Sequence, residues 1–300
     1  MKEEGKRHRP LFIVGGHRSG TTLLRYILDA HPRIACPPES KFIAGVEAFL
    51  DYPQAQMGLR TLGVSTDELM AKLRSLIEDV FIAYATRANK QRWADKTPNY
   101  YRLLPLIDQI FSHEPLYICV ARHPLDCIAS LEEFFWQSPH NEDPDIAASV
   151  LRYGKGRYGW AQYWLDAYQR IHLFATGVSH RAHIVKYEDL VSRTDATVRG
   201  IFSFIGEDCP EGIVQEAFKQ SHAGGFQDLK ILQTAGIHQT SLARWRDWPT
   251  AEISAIWNIV GPLASQFGYT AEATALTNSH DDSGSKRANP VAQPLASVAR

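Results

Sequence analysis

No apolar run in this 300-residue chain approaches the ~20 residues that a bilayer-spanning helix needs. The first ten residues, MKEEGKRHRP, are polar and mixed in charge, with no apolar core of the kind a secretory leader carries. The expectation is a chain that stays in the cytoplasm and has no integral membrane segment. Charge of one sign is also missing: 32 Lys and Arg against 33 Asp and Glu leave a formal net charge of −1. That balance speaks against a general nucleic-acid or membrane-surface binder, so any basic site must be local. Cysteine is scarce. Cys36, Cys119, Cys127 and Cys209 show no metal-ligand spacing, and Cys119 and Cys127 sit in apolar segments that read as core. No internal repeat is visible. From about Thr270 apolar periodicity stops, which predicts a disordered tail over 270–300. A polar segment over 1–9 and one domain over 10–269 complete the division, with 44% hydrophobic residues to build its core.

What the chain does have is Leu11–Glu39, LFIVGGHRSGTTLLRYILDAHPRIACPPE. Leu11, Phe12, Ile13 and Val14 read as a parallel strand covered on both faces. Gly15 and Gly16 allow a sharp turn. Gly16, His17, Arg18, Ser19, Gly20, Thr21 and Thr22 then lead into a helix whose free N–H groups and hydroxyls can surround a phosphate. A nucleoside-triphosphate loop reads G-x-x-x-x-G-K-[ST], and here Thr21 stands where the lysine belongs. Arg18 is the loop's only permanently charged cation. A β/γ-phosphate pair with magnesium needs the lysine, a hydroxyl and an acid on the metal. A single phosphate carrying a sulfuryl group needs only N–H donors and one cation, so the loop fits a phosphosulfate better than ATP.

Four more strands are predicted: Arg33–Cys36, Arg92–Thr97, Pro115–Arg122 and His183–Tyr187. Helices are expected over Tyr100–Phe111, Leu125–Trp136 and from Tyr187 through about Ile205, with helical insertions over Thr66–Asn89 and Asp143–Gly177. Alternating strands and helices imply an α/β fold, a parallel β-sheet flanked by helices, with ligands at the carboxyl ends of the strands. The aromatics of the second insertion, Tyr153, Tyr158, Trp160, Tyr163, Trp164 and Tyr168, read as helix packing. Arg122 closes a strand and Ser130 lies two turns into the next helix, so the two can converge on one phosphate, the guanidinium as a bidentate fork. Glu39 follows a Pro-Pro turn near the loop and could accept a proton from an acceptor hydroxyl. Lys96 closes another strand and could share charge with a transferring group. His31, His113 and His123 are the fallback bases.

These motifs resemble the sulfotransferases that use 3′-phosphoadenylyl sulfate (PAPS). The arginine in the loop and the run RSGTTLLRYILDAHP are closest to tyrosylprotein sulfotransferases and related bacterial enzymes. The resemblance runs from about Leu11 to Tyr269 and implies a single-domain P-loop-type sulfotransferase fold. It implies PAPS as co-substrate, no metal, and transfer of a sulfuryl group to a hydroxyl. Glu39 falls at the position of the family's catalytic glutamate, and Lys96, in WADKTP, at its catalytic lysine. Arg122 and Ser130 match the R-x-P-x-D…S pattern that holds the 3′-phosphate. Tyr187, in KYEDLV, matches a tyrosine near the adenine. Leu229–Ile231 and Ser241–Trp245 resemble the loop that folds over the nucleotide, with Arg244 in place of a lysine at the 3′-phosphate.

Two departures stand out. Cys36 matches a disulfide cysteine of the Golgi enzymes, but its partner is absent, since Trp93, Ala94 and Asp95 fill that stretch. Phe134 replaces an arginine of the tyrosylprotein enzymes. On that ground a small-molecule, lipid or glycan hydroxyl ranks above protein tyrosine as acceptor, with Leu50–Gly63 and Phe134–Asp145 lining its approach. A homodimer stays open. The alternatives are a P-loop phosphotransferase or NTPase with Arg18 for lysine, and a non-catalytic module binding 3′,5′-adenosine bisphosphate (PAP).

Overall fold

Every side chain of the first strand, β1 (Leu11–Val14), is buried, and its residues divide by parity between two cores. Phe12 and Val14 join one apolar cluster, Leu11 and Ile13 the other. That division is the period-2 signature of a strand with helices on both faces. In the computed structural model, which describes residues 9–137, 144–219 and 236–270, β1 is the centre of a five-stranded sheet. The others are β2 (Ile34–Ala35), β3 (Arg92–Lys96), β4 (Leu116–Ala121) and β5 (Ala182–Lys186), in the order β2-β3-β1-β4-β5. All pairings are parallel. The predicted α/β class and each predicted strand are present.

Helix α1 (Thr21–Asp29) follows β1; α2 (Phe42–Leu50), α3 (Pro53–Thr61) and α4 (Thr66–Arg87) lie between β2 and β3. Next come α5 (Leu104–Ile110), α6 (Pro124–Gln137), α7 (Pro144–Tyr153) and α8 (Arg157–Gly177). Beyond β5 lie α9 (Tyr187–Ser192), α10 (Thr194–Ile205), α11 (Ile213–Lys219) and α12 (Thr250–Ala264). One sheet face packs against α4, α5, α6, α8 and α12, and the other against α1, α9, α10 and α11. Connections leave β1 toward β2 and leave β4 toward β5, so the crossover directions diverge between β1 and β4. Ligand crevices of open α/β sheets form at such a divergence.

Three predicted helices differ in detail. Tyr100–Phe111 is split into a 3₁₀ turn, Pro98–Arg102, and α5, because Pro105 lies in the first turn of a new helix and lacks an N–H to continue the old one. The helix after β5 breaks at Arg193, whose φ of −126° is outside helical range. The second insertion breaks between α7 and α8, where Gly154 and Gly156 have φ of 81° and 96°. Its aromatics pack as expected, with Trp160, Tyr163, Trp164 and Tyr168 buried, although Tyr158 is exposed. Cys36, Cys119 and Cys127 are buried free thiols. Among the described residues no helix is long and apolar enough to cross a membrane. The predicted segments over 1–9 and 270–300, save Arg9 and Thr270, and the Leu229–Ile231 stretch lie outside the described residues.

Candidate active site

The loop after β1 is built by close approach. A Cβ on Gly15 would stand 2.5 Å from Ser19 Oγ and 3.0 Å from the Val120 carbonyl, so only glycine fits. Gly20 has φ of +97°, and a Cβ there would lie 2.3 Å from the Tyr187 ring. Arg18 also adopts a left-handed conformation, φ 64°. Consecutive turns of this kind aim backbone N–H groups inward, as in an anion nest. The start of α1 is left open: no side chain caps it and its first turn has no acid. Its free N–H groups and the positive end of its dipole suit an anion. Ser19, Thr21 and Thr22 are buried around this turn.

Arg122, at the end of β4, is buried and reaches across the crevice. Its Nη1 donates to the Arg18 carbonyl and its Nη2 to the Ser241 carbonyl, both at 2.7 Å. Its guanidinium lies 4.5 Å from the centroid of the Tyr187 ring. That ring also covers Gly20, and the Tyr187 hydroxyl is 2.9 Å from Ser241 Oγ. Three motifs distant in sequence therefore meet at one point. Ser130 takes part differently from the expectation. Its hydroxyl accepts from Arg18 Nε at 3.1 Å, and the Phe134 ring, one turn further on α6, lies 5.3 Å from the Arg18 guanidinium. Arg244 donates through its backbone N–H to Asp126 Oδ1 at 3.2 Å. Its guanidinium pairs with Glu133, one turn beyond Ser130.

Lys96 and Glu39 meet directly. Lys96 is fully buried, and its ammonium donates to Glu39 Oε1 at 2.7 Å and faces Thr22 Oγ1 at 3.4 Å. Beside them the fully buried Asp95 accepts from the Tyr100 hydroxyl at 2.7 Å and from Ser40 Oγ at 2.9 Å. Burial pushes the Asp95 carboxyl up to about 6. Lys96 and Glu39 thus meet at the carboxyl end of β3, beside the start of α1.

The fallback histidines are elsewhere. His113 contacts Asp108 and His31 stacks on Phe202, both at the opposite end of the strands. His123 is sandwiched between Trp245 and Trp257, its ring centroid 5.4 and 5.6 Å from theirs. Burial lowers its pKa to about 4, so it is neutral and structural. Sequence reasoning missed Tyr163, whose hydroxyl accepts the His17 N–H at 2.9 Å, and Asn99, 2.8 Å from His17 Nε2. It also missed Glu188, which accepts from the His123 N–H and the Tyr269 hydroxyl, both at 2.8 Å. Tyr163 carried no signal beyond an aromatic stripe. Among the described residues no group of three or more His, Cys, Asp or Glu side chains is arranged to hold a metal ion.

Known proteins resemble this chain in sequence and fold. The chain is 28% identical to the nodulation protein NoeE of Sinorhizobium fredii over 86% of its own length and 65% of that protein's. It therefore spans under two thirds of that relative. It is 21% identical to protein-tyrosine sulfotransferase 1 of Danio rerio, covering 88% of this chain and 73% of the relative. The sulfotransferase domain of the Synechococcus PCC 7002 olefin synthase shares the fold, with a TM-score of 0.60 at 24% identity over 90% of this chain and 98% of that one. A mouse sulfotransferase solved in complex with PAP does so with a TM-score of 0.50 at 14% identity, over 90% of this chain and 87% of that one.

These relatives correct one expectation. Protein tyrosine was ranked below small-molecule, lipid and glycan acceptors because Phe134 replaces an arginine, yet several curated relatives are protein-tyrosine sulfotransferases. The physical reason is the placement of Phe134 over Arg18, where it packs a loop cation and says nothing about the acceptor. The family model for the sulfotransferase family matches residues 10–211, two thirds of the chain, and with the parallel sheet and its loop in view this protein belongs to that family.

Proposed function

We propose that this protein transfers the sulfuryl group of PAPS to a hydroxyl, giving a sulfate ester and PAP. The observation that carries the reading is Arg122: a buried guanidinium with two main-chain carbonyls and a tyrosine face as partners, next to an uncapped helix start. A site of that kind favours an anion that brings its own charge. The 3′-phosphate of PAPS fits Arg122, with Arg244 and Ser130 at its margin, and the 5′-phosphate fits the backbone N–H groups from Gly16 to Thr22. Tyr187 offers its ring near the adenine. PAP in the mouse relative's crystal structure supports the same nucleotide.

In the reaction Glu39 takes the acceptor's proton as the acceptor oxygen bonds to sulfur. The bond from sulfur to the bridging oxygen breaks, and that oxygen keeps the electron pair on the 5′-phosphate. Arg18 faces the bridging oxygen, and Lys96 shares the charge of the sulfuryl oxygens. In a loose, in-line transfer most of the catalysis is this placement of cations. The phenol of a tyrosine within a polypeptide is the first acceptor to test, given the protein-tyrosine sulfotransferases among the relatives.

Two measurements test the reading. By calorimetry PAP is expected to bind about ten- to a hundredfold more tightly than AMP, the worth of a charge-assisted phosphate contact. Equal affinities would remove the 3′-phosphate assignment. Radiolabelled PAPS is expected to yield labelled product with a tyrosine peptide or another hydroxyl compound from a metabolite extract. No labelled product from any acceptor would reject the transferase reading.

A further inference from the structure

Asp95 and Lys96 are the last two residues of β3, and they hold two successive residues of the loop beyond β2. Lys96 donates to Glu39 at 2.7 Å, and Asp95 Oδ2 accepts from the Ser40 hydroxyl at 2.9 Å. Successive side chains of a strand leave opposite faces, so the Glu39–Ser40 pair is gripped from both sides of the strand end. Tyr100 completes the arrangement, donating to the same Asp95 oxygen at 2.7 Å and lying 3.3 Å from Ser40 Oγ. Ser40 Oγ also accepts the N–H of Phe42 at 3.2 Å, which ties the loop to the first residue of α2.

Asp95 is an expensive residue for a purely structural task. It is fully buried, and burial pushes its carboxyl up to about 6 despite the hydrogen bonds it accepts. A carboxyl this deeply buried costs desolvation that an amide or apolar residue would not. Beside the Tyr100 hydroxyl, what this residue holds is the Ser40 hydroxyl, adjacent to Glu39.

The two grips differ in what the reaction does to them. On the reading that Glu39 is the base and Lys96 the cation at the sulfuryl group, Lys96 turns its charge toward the transferring group, and its hold on Glu39 weakens. The Ser40–Asp95 hydrogen bond takes no part in the chemistry and persists. We propose that Asp95, acting through the Ser40 hydroxyl, is the positioning residue that keeps Glu39 within reach of the acceptor hydroxyl. This rests on the proposed role of Glu39.

The test is a set of variants assayed with PAPS and a phenolic acceptor. Ser40 is exposed, so Ser40→Ala will fold. It is expected to lower kcat about ten- to a hundredfold, the effect of misplacing a reacting group by about an ångström, while PAP affinity and the KM for PAPS stay unchanged. Ser40→Thr, which keeps the hydroxyl, is expected to restore most of kcat, and Asp95→Asn to fall below wild type. In a Glu39→Gln background Ser40→Ala is expected to cause no further loss, because the group it positions is gone. Full kcat in Ser40→Ala, or an undiminished loss in the Glu39→Gln background, would overturn the proposal and leave Glu39 as base. Full turnover in Glu39→Gln alone would instead overturn the base assignment, and the positioning role with it.

Discussion

The two ends of the sheet hold their buried arginines differently. At the amino ends of the strands the buried Arg181 and Arg92 each pair with a carboxylate. Arg181 reaches both oxygens of Asp108 at 2.5 and 3.1 Å, and Tyr117 donates to the same carboxylate at 3.0 Å. Arg92 pairs with Glu207 at 3.0 Å and donates to the Ile205 carbonyl at 2.7 Å. At the carboxyl ends Arg122 is as deeply buried, but its hydrogen bonds go to the carbonyls of Arg18 and Ser241, and the Asp126 and Glu188 carboxylates act on it without a direct ion pair. The far end pairs its buried arginines directly with carboxylates, whereas at the crevice end Arg122 is held by carbonyls, the arrangement that the proposed anion site would use.

The contrast yields predictions, the largest effect first. Glu39→Gln at the crevice is expected to lower kcat about 10²–10⁴-fold, the usual loss for a general base, with PAP affinity unchanged. Steady-state assays alongside calorimetry check it, and near-normal turnover would remove Glu39 from the chemistry. The far end should answer in stability instead. Asp108→Asn leaves Arg181 buried without its counter-charge, and denaturant unfolding is expected to show a loss of about 3–5 kcal/mol, with kcat per folded molecule unchanged. A large loss of kcat there would erase the division between the ends.

Arg122→Met is expected to weaken PAP about ten- to a hundredfold and to cost less unfolding stability than Asp108→Asn, since no direct ion pair is broken. If Arg122→Met destabilised the fold as Asp108→Asn does, the guanidinium would be structural. The smallest effect is pH-dependent. His123 has its pKa lowered to about 4 by burial, below the ordinary value of about 6.5. The unfolded chain then binds more protons between these values, so this group's contribution to stability is present above pH 6.5 and is lost as pH falls toward 4. The loss between pH 7 and pH 5 is on the order of 2 kcal/mol. His123→Phe keeps the ring between Trp245 and Trp257, and its unfolding free energy should fall less over that interval. Parallel pH dependences for variant and wild type would show that His123 does not titrate on unfolding.

Much of this was legible along the chain. Strands such as LFIV and LYICVA announce themselves because a strand buried on both faces must be apolar throughout. The loop was legible because its glycines, its arginine and its hydroxyls work over eight consecutive residues, Gly15 to Thr22, where spacing fixes geometry. Helix ends were less so: the breaks at Pro105, Arg193 and Gly154–Gly156 depend on backbone angles that propensity only weakly sets. Glu39 and Lys96 were read from a resemblance, and no local pattern says that they touch.

Sequence alone determined which residue types stand at the strand ends, an arginine and no Walker lysine among them. Tertiary structure decided which of them meet. Arg122 and the Arg18 carbonyl are 104 positions apart, and His17 and Tyr163 are 146 apart. Ser130 on Arg18, Tyr187 on Gly20 and Asp95 on Ser40 follow from the strand order β2-β3-β1-β4-β5. Periodicity and spacing report geometry within one element, where the chain itself fixes distance. Contacts between elements are fixed by how the sheet is ordered and how its faces pack, and no single stretch of the chain encodes that.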